Sequence, residues 1–261
     1  MKHHFVKTEN HQRLMAGVRF MEDRGSLSSP LCLVHGDPGV GKTRNISQYG
    51  AESGAVLIKG HVGMKLDGLY WAISQQLGIK TSRNLTAEMM EQTAVLRATQ
   101  APIIFDEAQF GLSMTCKKVE AAGIEHLRQL GESAGVFVLL VCHESEVPRF
   151  AGSRHIETRI AHRIELKNAT EADTVQFVRE LAEVEIGEGV GELVFRQTGG
   201  RFRLVENAIA CLERIAKAKN LSQLTLADVG KVKLVVDHEQ GLVPKIAPKP
   251  EKVNAAAKGE R

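Results

Sequence analysis

An apolar run, Leu31-Cys32-Leu33-Val34-His35, leads straight into Gly36-Asp37-Pro38-Gly39-Val40-Gly41-Lys42-Thr43, after which Thr43 to Tyr49 can open a helix. The pattern G-x-x-x-x-G-K-T, between a strand and a helix, is the phosphate-binding loop, and it restricts what this chain can become more than any other feature. Glycines at 36, 39 and 41 allow positive φ and close approach of backbone to a ligand. Successive N–H groups then converge on one concavity, and the helix N-terminus adds free donors and partial positive charge. Lys42 is placed to reach the β- and γ-phosphates of a nucleotide, and the Thr43 hydroxyl to ligate Mg²⁺. A merely glycine-rich corner would not require the Lys-Thr pair at this spacing.

Such a loop needs a carboxylate at the end of a neighbouring strand. Pro102-Ile103-Ile104-Phe105-Asp106-Glu107-Ala108-Gln109 supplies two in succession. Asp106 is expected to hold Mg²⁺ through water, and Glu107 to orient or deprotonate the attacking water. A strand that simply ends in exposed acids is the plainer explanation, and the upstream loop argues against it.

Further strands are expected at Val56 to Ile58, Val136 to Cys142 and Arg163 to Leu166, alternating with helical patterns. The helices are expected over Asn10 to Arg24, Leu66 to Leu77, Ala87 to Ala98 with Thr86 as cap, and Val119 to Glu132. Residues 1–9 are polar and read as loose. Uninterrupted apolar strands between helices imply a mainly parallel sheet buried on both faces. From Asn168 the strands are expected to stop. Thr170-Glu171-Ala172-Asp173 resembles a capping box, and further helices are expected over Gly189 to Gln197, Arg203 to Ala218 and from Thr225. The domains are therefore placed at 1–24 (arm and helix), 25–167 (core), 168–236 (helical lid) and 237–261 (basic tail).

The chain of 261 residues has a formal net charge of +3. The tail from Pro244 holds Lys245, Lys249, Lys252, Lys258 and Arg261 against Glu251 and Glu260, which accounts for all of it. The body is neutral, so a nucleic-acid surface would have to be local or built by several subunits. Cys32, Cys116, Cys142 and Cys211 form no C-x-x-C pair, which speaks against zinc and disulfides. No apolar run approaches the ~20 residues that cross a membrane, and no signal-like start is seen, so no membrane and a cytoplasmic location are expected.

The loop, the acidic strand and the helical C-terminal unit together resemble an AAA+ ATPase, over roughly residues 10–235. The resemblance implies an α/β P-loop NTPase fold with helices flanking the sheet and a small all-helical lid subdomain. Asp106-Glu107-Ala108-Gln109 and the pattern from Val136 to Ile209 look like the ATP-dependent target-DNA activators of transposition, the B protein of Mu-like phages and its TniB/TnsC relatives. That resemblance implies ATP and Mg²⁺ as cofactors, double-stranded DNA and a transposase as partners, and a homo-oligomer in the form of an ATP-dependent filament or ring. It also implies a polar sensor after the fourth strand, for which His143 stands in the place. An arginine reaching the neighbour's ATP is expected at Arg159, with Arg154 and Arg163 as alternatives. Three arginines so close could equally be a solvated or DNA-facing surface. Gly200-Arg201-Phe202-Arg203 implies a γ-phosphate contact in cis from Arg203, with Arg201 as the alternative.

DNA-following loops are implied at Lys59, His61 and Lys65, and at Thr115, Lys117 and Lys118. Plain surface solubility explains any one of these lysines as well. With 35 residues before the loop, the N-terminal DNA-binding domain of the Mu relatives is expected to be absent. Two other readings share the core: a replication initiator or helicase loader, and a nucleotide-switch scaffold that does not bind DNA. A two-motor helicase is disfavoured, since no second set of motifs is seen.

Overall fold

The five expected strands become β1 (Leu31–His35), β2 (Val56–Lys59), β3 (Ile103–Asp106), β6 (Val138–Val141) and β7 (Ile160–Glu165, which starts three residues earlier than expected) of one sheet. This computed structural model describes residues 1–2, 4–23, 29–115, 118–152 and 154–235. The strand order is β2-β3-β6-β1-β7, with every pairing parallel. The strand that feeds the glycine loop is therefore flanked on both sides, and β6 falls between it and the acidic strand.

The sheet is covered on both faces. Leu31, Leu33, Phe105, Val138 and Leu140 pack against α3 (Leu66–Gln76), α4 (Leu85–Thr99) and α5 (Ala122–Ala134). Cys32, Val34, Ile104, Leu139 and Val141 pack against α1 (Glu9–Glu22) and α2 (Lys42–Ser53). Alternate side chains of one strand thus enter two cores, which is why the strands read as unbroken apolar runs. Burial pushes the Cys32 and Cys142 thiols up to about 12, as expected of inert core cysteines.

A second unit follows β7. It is built from α8 (Glu171–Leu181), α9 (Val190–Thr198), α10 (Phe202–Lys219) and α11 (Leu226–Val229) around its own apolar core. Short helices α6 (Val147–Ala151) and α7 (Arg154–Glu157) lie between β6 and β7. No described helix is long and apolar enough to cross a membrane.

Several local expectations need correction. Residues 1–9 are not loose where described: Val6 is buried in the lid core, and the Lys2 N–H donates to the Leu181 carbonyl at 2.7 Å. Helix α4 is capped by Asn84, whose side chain accepts from the N–H groups of Thr86 and Ala87. Asparagine is the better cap because its carbonyl reaches two successive donors. The helix expected from Val119 starts at Ala122, because β4 (Ser113–Thr115) and β5 (Lys118–Glu120) form an antiparallel hairpin first. Strands do not stop at Asn168: β8 (Glu185–Ile186) and β9 (Gln223–Leu224) pair in parallel inside the helical unit. Thr170 does cap α8 through the Asp173 N–H, but the Asp173 carboxylate accepts from the Glu9 N–H and so also caps α1. The basic tail, Lys117, Cys116 and residues 24–28 lie outside the described residues.

Candidate active site

At the end of β1 the chain turns through Gly39 and Gly41, both at φ +87°, and Gly41 is the cap residue of α2. No side chain caps α2, so its first N–H groups are free to point at an anion. A β-carbon on Gly41 would stand 3.3 Å from the ring of Phe202, so the lid packs directly on the loop.

Lys42 is buried, and its ammonium donates to the carbonyls of Gly36 at 2.7 Å and Asp37 at 3.0 Å. Burial lowers its pKa, opposed by the negative charges of Glu107 and Asp106 among others. An ammonium held here beside uncapped helix donors fits the phosphates of a nucleotide.

Asp106 ends β3. One of its oxygens accepts the Thr43 hydroxyl at 2.9 Å and the other the Glu107 N–H at 3.0 Å. Burial raises its pKa, and both hydrogen bonds oppose the rise. The Thr43 hydroxyl and the Asp106 carboxylate are the oxygen donors that Mg²⁺ takes from a protein when phosphate and water complete its shell. Among the described residues no group of three or more His, Cys, Asp or Glu is placed to hold a metal by itself.

Glu107 lies one residue beyond the strand. Its Oε2 accepts from Gln109 Nε2 at 2.5 Å and lies 3.4 Å from His143 Nε2. The other ring nitrogen of His143, Nδ1, lies 3.4 Å from the Lys42 ammonium. An ammonium can only donate, so Nδ1 is the bare nitrogen and Nε2 carries the proton toward Glu107. His143 follows β6, so its place between loop and acids is a consequence of strand order.

Arg203 begins the lid helix α10, and its N–H donates to the Gly39 carbonyl at 3.4 Å. A cleft of about 360 Å³ is lined by Lys42, Thr43, Glu107, His143, Phe202 and Arg203, among others. Arg201, the alternative, is the cap residue of α10 and is not part of that lining.

Three residues of the site were missed from sequence. Asn10 donates to the Val40 and Lys167 carbonyls at 3.1 and 2.6 Å and accepts the Lys167 N–H at 3.0 Å. It ties the loop to the end of the sheet. The signal was there: position 10 shares a helical face with Leu14, Val18 and Met21, all buried. Arg44, next to Thr43, pairs with Glu206 of α10 at 2.5 Å, donates to the His4 carbonyl at 2.9 Å and stacks over Phe177. Gln109 is the third.

Other candidates lie apart. Arg159 precedes β7 at the N-terminal end of the strands, whereas the loop leaves the C-terminal end of β1, roughly 16 Å along the strand direction. Its guanidinium is half-exposed, 3.9 Å from Glu132. Arg154 is exposed on α7, and Arg163 pairs with Glu157 at 3.8 Å. None of the three lines this chain's own cleft. Lys59, opposite Asp106 in register, is exposed, as are His61 and Lys65 in the loop that follows. Thr115 and Lys118 are opposite each other in the hairpin.

Residues 27–150 match the AAA domain family. No curated protein matches the chain's sequence. Among solved structures it is similar to Drosophila ORC bound to DNA (TM-score 0.62, 15% identity, 87% of this chain and 60% of that one). It is similar to the ORC2 protein of Aeropyrum pernix in ADPNP-ADP complexes (TM-score 0.61, 16% identity, 86% of this chain and 66% of that one). The Thermotoga maritima RuvB Holliday junction branch migration motor is similar too (TM-score 0.59, 17% identity, 87% and 68%). The chain thus spans less than two thirds of the two ORC chains. Five parallel strands, flanking helices, the loop from Gly36 to Thr43 and the helical unit behind it have the fold of the AAA+ P-loop NTPases.

Proposed function

We propose that this chain is an Mg²⁺-dependent ATPase that assembles with copies of itself on double-stranded DNA, without reading sequence, and there recruits or stimulates a transposase. The observation that carries the reading is the division of the machinery. Lys42, Thr43, Asp106, Glu107, His143 and Arg203 converge at one end of the sheet, while Arg159 lies at the other. A second copy would bring its Arg159 to the cleft, so ATP would join subunits and hydrolysis would loosen them.

Bound Mg²⁺ supplies charge neutralisation at the phosphates. The chain's own residues do the rest: loop N–H groups and Lys42 bind the phosphates, Thr43 and Asp106 hold the ion, and Glu107 orients water. Exposed Lys59, His61 and Lys65 give phosphate contacts without base reading, so DNA binding weakens steeply with salt. Likeness to an ORC bound to DNA and to a branch migration motor supports a DNA-working class. The transposase rests on the resemblance of the 106–109 and 136–209 segments. The ORC likeness favours a second reading, a replication initiator or helicase loader.

Electron microscopy with unrelated duplex DNAs under ATP, a slowly hydrolysed analogue, ADP and no nucleotide tests this. Filaments or rings on every DNA with triphosphate only are expected. Assembly on selected sequences turns the reading to an initiator. ATP hydrolysis without any DNA-bound assembly at low salt turns it to a nucleotide switch.

A further inference from the structure

We propose that a second cleft, separate from the nucleotide cleft, is a docking site for an extended peptide segment of a partner protein. The segment carries a bulky apolar side chain beside a carboxylate.

The cleft measures about 510 Å³ and lies between the loop after β2, the turn after β3, the start of α5 and Arg149 of α6. It shares no lining residue with the nucleotide cleft. Met64, Leu66, Leu69, Phe110 and Leu112 give it apolar walls. Val62, also in the lining, is 82% exposed, and Leu66 is exposed too. Apolar side chains left open around a concavity are covered best by another apolar side chain. A DNA backbone has no such group to insert, so the walls argue against nucleic acid as the occupant.

The same walls hold an unmet acceptor. The amide nitrogen of Gln109 donates to Glu107 Oε2 at 2.5 Å. Glu107 lines the nucleotide cleft, so the amide oxygen of Gln109 is turned to the other side, where Gln109 lines the second cleft. That oxygen is buried without a hydrogen-bond partner, and Gln109 as a whole is only 7% exposed. Buried polar groups of folded proteins are nearly always paired, so an unmet acceptor in a cleft wall marks a place for a donor. A peptide N–H is such a donor, and an extended peptide offers one beside each side chain.

The charges select the acid. Lys65 and Arg149 are the charged residues of the lining. Arg149 Nη1 is held by Glu146 at 2.5 Å, while its Nε is buried and unpartnered. Ala122 and Gly123, which line the same cleft, open α5, a helix of 13 residues that no side chain caps. Its first N–H groups and partial positive charge favour a carboxylate. Two cations, an uncapped helix start and a free acceptor thus surround one apolar pocket. An acidic, apolar peptide meets all of them, whereas a phosphate would leave Gln109 and the walls unmet.

The test uses the full chain and short synthetic peptides, each pairing Leu, Ile, Met, Phe or Trp with a neighbouring Asp or Glu. Matched peptides replace the acid by Lys or the apolar residue by Ala. Binding is read by fluorescence anisotropy and located by the Met64 resonance in protein labelled at its methionine methyls. Acidic apolar peptides are expected to bind and to shift Met64, and both matched sets to bind about tenfold or more weakly. Arg149→Glu reverses a charge of the lining, and Ala122→Trp fills the mouth from an exposed position. Each is expected to weaken peptide binding by a similar factor while ATP affinity stays that of wild type. No binding by any acidic apolar peptide, equal binding of the Lys set, or binding that leaves Met64 and both variants unaffected overturns the proposal. Loss of duplex-DNA binding in both variants, with no peptide bound, also overturns it and gives the cleft to the DNA surface.

Discussion

Lys42 is a cation in a place where burial works against charge, and the carbonyls of Gly36 and Asp37 accept its protons at hydrogen-bond distance. Charge-assisted bonds to phosphate contribute about 1.5–3 kcal/mol each, so Lys42→Ala should weaken ATP binding by roughly 10- to 100-fold, measured with a fluorescent analogue. Retained affinity would overturn the loop's role. Glu107→Gln should bind ATP normally and slow its hydrolysis by ~10²-fold or more in a phosphate-release assay. His126 carries a separate prediction. It stacks on Tyr70 with ring centroids 3.7 Å apart, and neither ring nitrogen has a partner. Burial lowers its pKa from 6.5 to about 4. Above pH 6.5 it is neutral folded and unfolded, so it adds no pH dependence. As pH falls toward 4 the unfolded chain gains a proton that the folded chain refuses, and stability drops by about 3 kcal/mol. His126→Phe keeps the stack and should raise the melting temperature at pH 5 more than at pH 7.5, in thermal melts at both. An equal shift at both would place the acid sensitivity elsewhere.

Between elements, Arg44 ties the loop helix to the lid at two points and to the N-terminal arm at one. Its guanidinium meets Glu206 on α10, the His4 carbonyl on the arm and the Phe177 ring on α8. The Arg44–Glu206 pair is about a third exposed, so its direct contribution to stability is modest, up to about 1 kcal/mol. The larger consequence is for lid motion. Arg44→Ala should speed amide exchange at the start of α10 and around residues 4–8, leaving the sheet unchanged, by hydrogen-exchange mass spectrometry. Uniform protection would mean that Phe202 against Gly41 holds the lid without it. Element boundaries also show where local pattern misled. Val119 adjoins the helical run Ile124, Leu127 and Leu130, yet residues 118–120 pair with 113–115 in a hairpin, so α5 begins only at Ala122.

For the whole molecule, the decisive feature is that Arg159 and the cleft lie at opposite ends of the sheet. Arg159→Ala should leave ATP binding by single subunits unchanged while lowering turnover by ~10³-fold in the assembly. Mixing it with Lys42→Ala should recover part of the activity, since one pairing then joins an intact cleft to an intact arginine. No recovery on mixing would move the role to Arg154 or Arg163, or out of the fold.

The sequence by itself determined the loop, the acidic strand and the parallel sheet. Each of these is a local pattern: Gly39 and Gly41 at positive φ, Asp106 at a strand end, unbroken apolar runs that require cover on both faces. What only the tertiary structure decided is which distant groups meet there. His143 comes between Lys42 and Glu107 because β6 inserts beside β1, and Asn10 reaches Val40 because α1 packs across the loop. Arg44 is a clasp only because arm and lid converge on it. Those contacts span from about 30 to more than 160 residues of chain, and no periodicity or spacing records them. They are set by strand order and by the packing of two cores, which is a property of the folded chain.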